Sequence, residues 1–282
     1  MHNAKRNDRS VAAAHVPKII YGTAWKQADT ERLVKIAIKR GFRGIDTACQ
    51  PRHYDEAGVG RGVAACLDQQ LTRADLYLQT KFTAVSGQDP ASIPYDPSAP
   101  LPAQVAQSFA VSLRNLETSY LDCLVLHSPF ANVGHTLAAW RAMESLVAGG
   151  GVHQLGISNC YEVDTLAALY EAARVKPAVV QNRFYADTGY DREIRAFCDR
   201  QRMIYQSFWT LSANPQVLAH ATIAGLASRY GRTPAQILFR YLTQTRVVPL
   251  TGTRSETHMR EDLEIFDFEL TDVERGAVDA LL

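Results

Sequence analysis

Short apolar runs alternate with longer amphipathic stretches along almost the whole chain. Eight of these runs have the length and composition of a buried strand, and they cover residues 18–24, 42–48, 75–82, 121–127, 152–159, 178–184, 203–208 and 247–252. Between them, apolar residues recur three or four positions apart, which predicts helices with one buried face. Buried strands separated by helices are typical of a parallel sheet that is covered on both sides. Eight such units favour a closed (β/α)8 barrel over a doubly wound sheet.

Two segments depart from this repeat. Residues 83–102 contain five of the 12 prolines and show no periodicity, which predicts a long loop after the third strand. Two helical patterns, 213–230 and 234–244, lie between the seventh and eighth strands, where one helix is usual. After the last strand the chain has a short C-terminal tail, so we expect an open site. The prediction is a single domain over 1–282, in which 1–16 is a flexible or peripheral segment.

Composition and charge narrow the functional classes. The chain has 282 residues, of which 46% are hydrophobic, and this is enough for a large core. Its formal net charge of +1 gives no electrostatic argument for nucleic acid or an anionic membrane as a partner. No signal peptide and no apolar run long enough to cross a membrane are visible. We expect a cytoplasmic protein with reduced, scattered cysteines that is a monomer or a weak dimer.

Motifs of several other enzyme classes are missing. The sequence has no GxxxxGK[ST], HExxH or GxSxG motif, which argues against a P-loop site, a zinc protease and a nucleophile-elbow hydrolase. The glycine-rich residues 58–62 lack the GxGxxG spacing and are predicted to begin a helix. His53, Asp55 and Glu56 are close in sequence but point in different directions on a helix, so we predict no metal site.

Polar side chains stand at the ends of several apolar strands. Asp46 ends the second strand and Tyr54 follows it, while Lys81 ends the third strand and His127 the fourth. The carboxyl ends of parallel strands meet at one mouth of a barrel, so we expect these side chains to converge. The fifth and sixth strands add further polar residues at the same level, which are Ser158, Asn159, Gln181 and Asn182.

These residue types suit proton delivery to an oxygen that gains negative charge. A free tyrosine has a pKa near 10, and an ammonium group that a carboxylate holds nearby lowers this pKa by stabilising the phenolate. Tyr54, Lys81 and Asp46 are predicted to form such a tuned proton donor. His127 is predicted to hydrogen-bond the substrate oxygen and to orient it. A carbonyl that accepts hydride develops this charge, so the pattern predicts carbonyl reduction.

An ordered set of motifs extends from about residue 17 to the end of the chain. The motifs are GTAW (22–25), GIDTA (44–48), HYDEAGVG (53–60), LYLQTKF (76–82), LDCLVLHSP (121–129), GISN (156–159), VVQNRFY (179–185) and VVPLTGTRSETHMREDLEIFDFEL (247–270). In this order they resemble the aldo-keto reductase family. The resemblance implies an NAD(P)H-dependent oxidoreductase that reduces an aldehyde or ketone to an alcohol on a (β/α)8 barrel, without a Rossmann domain.

The resemblance also assigns roles to particular residues. It implies Tyr54 as the proton donor, with Asp46, Lys81 and His127 as the other catalytic residues. It also implies that four residues contact a small carbonyl substrate, and these are Trp25, Tyr54, His127 and Trp209. The residues that it implies for cofactor binding are Thr23, Asp46, Ser158, Asn159, Gln181, Phe208, Leu211, Thr251, Gly252, Thr253, Arg254, His258, Glu261 and Asp262.

One departure from the family pattern lies between Asp46 and Tyr54. The stretch CQPRH, residues 49–53, makes this gap longer than is usual in the family. Pro51 favours a rigid bulge over a slack loop, and we expect the bulge to deliver Tyr54 to the site.

A second departure concerns the phosphate-binding segment. Leu250, His258 and Asp262 stand where many NADPH-specific relatives carry a lysine, an arginine and an asparagine. Arg254 offers a forked contact that replaces part of the missing charge. We therefore expect NADP(H) to be preferred by a reduced margin, with NAD(H) also accepted.

Two alternatives stay open at this point. Lys81 is also the type of residue that forms a Schiff base in barrel lyases and isomerases. The other alternative is a non-catalytic, NADP(H)-sensing barrel that regulates a partner.

Overall fold

The computed structural model describes residues 16–282, and residues 1–15, nearly all of the predicted N-terminal segment, lie outside the described part. Eight parallel strands close into one barrel in chain order, since β8 pairs with β1. The predicted barrel is confirmed, and each strand is slightly shorter than its apolar run. The strands are β1 (Ile20–Gly22), β2 (Gly44–Asp46), β3 (Tyr77–Phe82), β4 (Leu121–Leu126), β5 (Val152–Ser158), β6 (Val179–Arg183), β7 (Ile204–Phe208) and β8 (Val247–Thr251).

Helices connect the strands and cover the outside of the barrel. They are α1 (Thr30–Arg40), α2 (Glu56–Ala64), α3 (Leu101–Asn115), α4 (Val133–Ala148), α5 (Val163–Ala172), α6 (Arg192–Gln201), α7 (Pro215–Leu218), α8 (Ala221–Tyr230), α9 (Pro234–Gln244), α10 (Glu256–Leu263) and α11 (Asp272–Asp279). Several begin where a polar side chain accepts a hydrogen bond from a free backbone amide of the first turn. The capping residues include Asp55, Asn132, Thr233, Ser255 and Thr271. No helix of residues 16–282 is long and apolar enough to cross a bilayer.

The register of the strands and their side-chain contacts bring several polar residues together inside the barrel. Asp46 is aligned with Gln79, and Ser158 with Gln181. Because the strands of a barrel are tilted and staggered, side chains of more distant strands can also meet across its interior. Gln79 and Gln181 both contact the Asp46 carboxylate, which ends β2.

The proline-rich loop is ordered by its own buried side chains. The Tyr95 ring is 5.7 Å from the Phe82 ring, and the Tyr95 hydroxyl donates to the Thr83 carbonyl at 2.6 Å. The Gln88 amide donates to the Cys49 carbonyl at 2.9 Å. The loop ends earlier than the predicted 102, because α3 begins at Leu101 and a proline is compatible with the first turn of a helix.

Glycines in α2 allow three helices to pack closely. A Cβ atom on Gly60 would lie 2.2 Å from the Asn115 carbonyl oxygen, and one on Gly62 would lie 2.9 Å from Val34 side-chain atoms. The segment 58–62 is helical, as predicted. Its glycines leave room for the close contacts of α2 with α1 and α3.

We predict that Gly60→Ala destabilises the protein by about 1–3 kcal/mol, because the new methyl group meets rigid backbone. The matched control is Gly225→Ala in α8, where an added Cβ meets nothing within 4 Å. This control should stabilise the protein by about 0.5–1 kcal/mol, because alanine favours the helix more than glycine does. Urea unfolding measures both free energies. Equal stability of Gly60→Ala and the unmodified chain would contradict the close packing.

Candidate active site

A cavity of about 1000 Å³ opens at the carboxyl ends of the strands. Its floor contains Asp46, Tyr54 and His127, which the sequence predicts to converge. The wall carries the predicted residues Trp25, Ser158, Asn159, Gln181, Phe208, Trp209, Leu211, Thr251, Gly252, Thr253, Arg254, His258, Glu261 and Asp262. The structure thus brings nearly all of the predicted residues to one cavity.

A buried ion pair lies beneath the floor. The Lys81 ammonium donates to both Asp46 carboxylate oxygens at 2.7 Å and to the Thr47 carbonyl at 2.8 Å. Lys81 is 1% exposed and Asp46 is 3% exposed. The ammonium is 5.3 Å from the centroid of the Tyr54 ring. Lys81 therefore acts on the cavity through its charge, without forming part of its surface.

A set of glutamines inside the barrel completes the surroundings of Asp46. Gln79 and Gln181 donate to Asp46 Oδ1 at 2.7 and 3.0 Å. Both also donate to Gln206 Oε1, each at 2.9 Å. Gln79 and Gln206 are absent from the sequence prediction, although a glutamine within each apolar run, LYLQTKF and MIYQSF, was a visible signal. The glutamines hold the carboxylate by hydrogen bonds that add to those from Lys81.

Tyr54 keeps its proton in this environment. Burial, followed by the nearby Asp46 carboxylate, raises the pKa of Tyr54 above its ordinary value of 10. The prediction that Lys81 lowers this pKa is therefore not met, because burial and the Asp46 carboxylate outweigh the effect of the ammonium. A phenol that is protonated at neutral pH is the state that a proton donor requires.

His127 is a neutral imidazole whose orientation Thr83 determines. Burial, and then the positive charge of Lys81, lowers the pKa of His127 to about 3. Its Nδ1 lies 2.6 Å from the hydroxyl of Thr83, a residue that is 4% exposed. A Thr83 hydroxyl that donates to Nδ1 leaves the ring proton on Nε2, and we assign this tautomer because it satisfies the hydroxyl within residues 16–282. The Tyr54 and His127 rings are 6.2 Å apart.

The inserted stretch before Tyr54 is a fixed bulge, as expected. The backbone amides of His53 and Tyr54 donate to the Gln50 carbonyl at 3.0 and 3.1 Å. The Gln50 side chain donates to the Gly87 carbonyl at 2.6 Å, which ties the bulge to the proline-rich loop. The Trp25 and His53 rings, both in the cavity lining, are in contact, with centroids 4.0 Å apart and planes tilted by 38°.

The opposite end of the cavity has the character of a phosphate site. The buried ammonium of Lys26 donates a hydrogen bond to the Gly252 carbonyl. Lys26 is absent from the sequence prediction, although it directly follows the GTAW motif. Burial lowers the pKa of Lys26 to about 8. Arg254 pairs with Asp29 at 2.6 Å and donates to the Trp25 carbonyl at 2.6 Å. Gly252 has no side chain, so a phosphate group can approach its backbone closely. Lys26 and Arg254 lie beside it and supply positive charge.

Asp262 lies at the same end but is not an ordinary surface acid. It is 4% exposed and accepts from the Thr251 hydroxyl at 2.6 Å. Burial raises the pKa of Asp262 to about 6. The carboxylate is therefore held by Thr251 inside the protein and is not open to solvent.

One predicted assignment needs correction. Thr23 does not line the cavity: it is fully buried, and its hydroxyl donates to the Asp46 carbonyl at 2.8 Å. It supports β2 instead of contacting a cofactor. The start of the proline-rich loop borders a separate cavity of about 500 Å³ beside His127, through Thr83, Ala84, Ser86 and Gly87. No metal-binding cluster occurs among the described residues.

The comparisons with known proteins agree with this geometry. The model of the Aldo/keto reductase family matches residues 18–205 and 200–282. The chain belongs to the aldo/keto reductase family. An uncharacterized oxidoreductase of Bacillus subtilis is 31% identical over 88% of this chain and 82% of its own length. A glyoxal reductase of the same organism is 30% identical over the same shares.

Solved structures of aldo/keto reductases have the same fold. An aldo/keto reductase from Brucella melitensis superposes with a TM-score of 0.80 at 26% identity, covering 95% of this chain and 96% of that one. A putative 2,5-diketo-D-gluconic acid reductase B gives a TM-score of 0.79 at 28% identity, covering 95% and 88%. As a member of the aldo/keto reductase family, the protein is an NAD(P)H-dependent oxidoreductase.

We predict that His127 stays neutral, as the Nε2–H tautomer, from pH 5 to 8. Its depressed pKa means that the unfolded chain takes up the proton first, so this residue lowers stability only as pH falls from about 6.5 toward 3. The ¹⁵N shifts of the ring, assigned with His127→Gln, report the tautomer. Thr83→Val should produce a mixture of tautomers, whereas Thr83→Ser should preserve Nε2–H. A wild-type titration near 6.5 would contradict the assignment.

Proposed function

We propose that the protein reduces the carbonyl group of an aldehyde or ketone to an alcohol, with Tyr54 as the proton donor. The observation that carries this proposal is the triple hydrogen bonding of Lys81 to Asp46 and Thr47, directly beside the ring of a protonated Tyr54 at the cavity floor. This arrangement supplies positive charge where a phenolate forms when Tyr54 gives up its proton.

The side chains divide the chemistry between them. When bound, a reduced nicotinamide supplies the hydride that the carbonyl carbon accepts. His127 donates its Nε2–H to the carbonyl oxygen and positions it, and Tyr54 transfers its proton to that oxygen as negative charge develops. Lys81 then stabilises the Tyr54 phenolate. Asp46 holds the ammonium in place, and the interior glutamines hold Asp46.

The polar residues of β5 and β6 are suited to a carboxamide. Gln181 uses its amide nitrogen on Asp46 and Gln206, which leaves its carbonyl oxygen to accept from a ligand. Asn159 donates to the His127 carbonyl at 2.8 Å, and Ser158 donates to the Gln181 carbonyl at 2.6 Å. Phe208 lines the cavity beside them and offers a ring face for stacking. These contacts make the β5–β7 side the place for a nicotinamide.

The protein should prefer NADPH to NADH by a modest margin. Lys26 and Arg254 supply two cations at the phosphate end. Arg254 is 50% exposed, so its pair with Asp29 is a weak surface ion pair that a doubly charged 2′-phosphate can displace.

The Schiff-base alternative finds no support in the geometry. A lysine that attacks a carbonyl must reach the cavity as a free amine, whereas Lys81 is 1% exposed and donates three hydrogen bonds. Borohydride in the presence of substrate would trap an adduct on Lys81 only if this alternative were correct. A non-catalytic sensor would bind the cofactor but turn over no member of a broad carbonyl panel.

Tyr54→Phe should reduce kcat by about 10²–10⁴-fold, because general acid catalysis is lost. The Kd for NADPH should stay within about twofold, since the hydroxyl acts only on the substrate oxygen. Tyr170→Phe, on the outer helix α5, is the matched control and should behave as the unmodified enzyme. Retention of more than about a third of the rate, with chemistry limiting, would remove Tyr54 from its role.

Arg254→Ala should weaken NADPH binding by about tenfold, the loss of roughly one charge-assisted pair. NADH binding should hardly change, because NADH lacks the 2′-phosphate. Arg260→Ala, an exposed cation on α10 outside the cavity, controls for net charge. Cofactor fluorescence measures the four dissociation constants. An equal loss for both cofactors would mean that Arg254 only holds the Trp25 loop and does not contact the 2′-phosphate.

A further inference from the structure

One cation of the cavity, Arg183, forms no ion pair and no side-chain hydrogen bond within the described residues 16–282. Arg183 is the last residue of β6, and it lines the cavity together with Gln181, two residues before it. Within residues 16–282 its guanidinium forms no ion pair and donates no hydrogen bond, and its Nε is buried and unsatisfied. The other two strong cations of the cavity differ, since Arg254 pairs with Asp29 and Lys26 donates to Gly252.

Two aromatic rings hold this guanidinium in place. It lies 4.3 Å from the centroid of the Trp209 ring and 5.2 Å from that of Tyr185. Stacking of this kind uses the face of the guanidinium and leaves its in-plane N–H groups available. Trp209 has a φ of 56°, which is unfavourable for a bulky residue, and the indole is 48% exposed at the rim. The backbone is thus strained at the residue that supports Arg183.

A buried donor without an acceptor is costly, so such groups in proteins usually meet a ligand or another polar group. A stacked guanidinium matches a planar carboxylate in a forked, two-bond contact. The Asp46 carboxylate at the cavity floor does not neutralise the charge of Arg183, because Asp46 is already paired with Lys81. The stacking and the lack of an ion-pair partner among the described residues therefore suit Arg183 to binding an anion.

The position of Arg183 favours the substrate over the cofactor phosphates as the source of this anion, since the nicotinamide proposed for the β5–β7 side carries no negative charge. Gln181 is at the level of the catalytic residues, since it contacts Asp46 at 3.0 Å. Arg183 lies two residues further along the strand, about 6–7 Å closer to the solvent. The phosphate end, at Gly252 and Arg254, follows β8, and β7 separates it from β6.

We propose that Arg183 binds a carboxylate on the substrate, so that the enzyme selects carbonyl compounds that carry an acidic group several bonds from the reacting carbonyl. This inference rests on the proposed carbonyl reduction and names its substrate class. The carbonyl oxygen lies at Tyr54 and His127, and the carboxylate lies on Arg183 against the Trp209 ring.

The test compares two aldehydes of the same shape, 4-carboxybenzaldehyde and its neutral methyl ester. The unmodified enzyme should have a higher kcat/KM for the acid. Arg183→Gln should lower kcat/KM for the acid by at least about tenfold, through KM, and should change that for the ester by less than about twofold. Arg183→Lys should recover part of the difference, and Arg141→Gln on the outer helix α4 controls for the loss of one positive charge.

Binding measurements distinguish a carboxylate site at Arg183 from a packing role and from a contact with the cofactor. Calorimetry with the product analogue 4-(hydroxymethyl)benzoate, on the NADP⁺-loaded protein and its Tyr54→Phe variant, detects carboxylate binding without turnover. Loss of this binding in Arg183→Gln supports the proposal even if the chemistry assigned to Tyr54 fails. An equal loss for both aldehydes would overturn it and leave a packing role for Arg183. Weaker NADPH binding with an unchanged acid-to-ester ratio would also overturn it, because the anion would then be the cofactor pyrophosphate.

Discussion

The ion pair between Lys81 and Asp46 is the interaction on which the rest of the site depends. Both groups are almost completely removed from water, at 1% and 3% exposure, and the desolvation of two charges is compensated only when their remaining donors and acceptors are satisfied. Thr47, Gln79 and Gln181 meet that requirement. The pair is therefore part of a polar layer that joins β2, β3 and β6 across the interior, and Gln206 extends this layer to β7. The register of the strands and the position of the charges are mutually dependent.

This polar layer keeps the charge of Lys81 away from the cavity surface. Lys81 places positive charge beside the Tyr54 ring without lining the cavity, so the cavity surface presents a phenol and a neutral imidazole, the two proton donors of the proposed reaction. The depressed pKa of His127 and the raised pKa of Tyr54 have the same origin, since burial opposes the charged form of each. Both groups are consequently in the protonation state that carbonyl reduction needs over a wide pH range.

Two segments that look irregular in the sequence act as supports for this layer. The bulge that contains Pro51 is bonded to the proline-rich loop through Gln50 and Gly87. That loop in turn holds the Thr83 carbonyl through Tyr95, and the Thr83 hydroxyl orients His127. Long connections at the carboxyl face of a barrel thus position catalytic side chains as well as surround the substrate.

The sequence by itself determined the fold and most of the site, because buried strand runs, helical repeats and polar strand ends are local patterns that a barrel closure brings together. It therefore predicted eight strands, the convergence of Asp46, Tyr54 and His127, and the wall formed by β5–β8. Contacts between distant residues were decided only in the tertiary structure. The apolar runs gave no sign that Thr23 is buried beneath the cavity or that Gln206 reaches Gln79. They also gave no sign that Arg183 stacks on Trp209 without an ion pair among the described residues, since burial and partners depend on which side chains meet across the barrel. The protonation states of Tyr54 and His127 also depend on the tertiary structure, because desolvation shifts their pKa values only when the folded chain surrounds them.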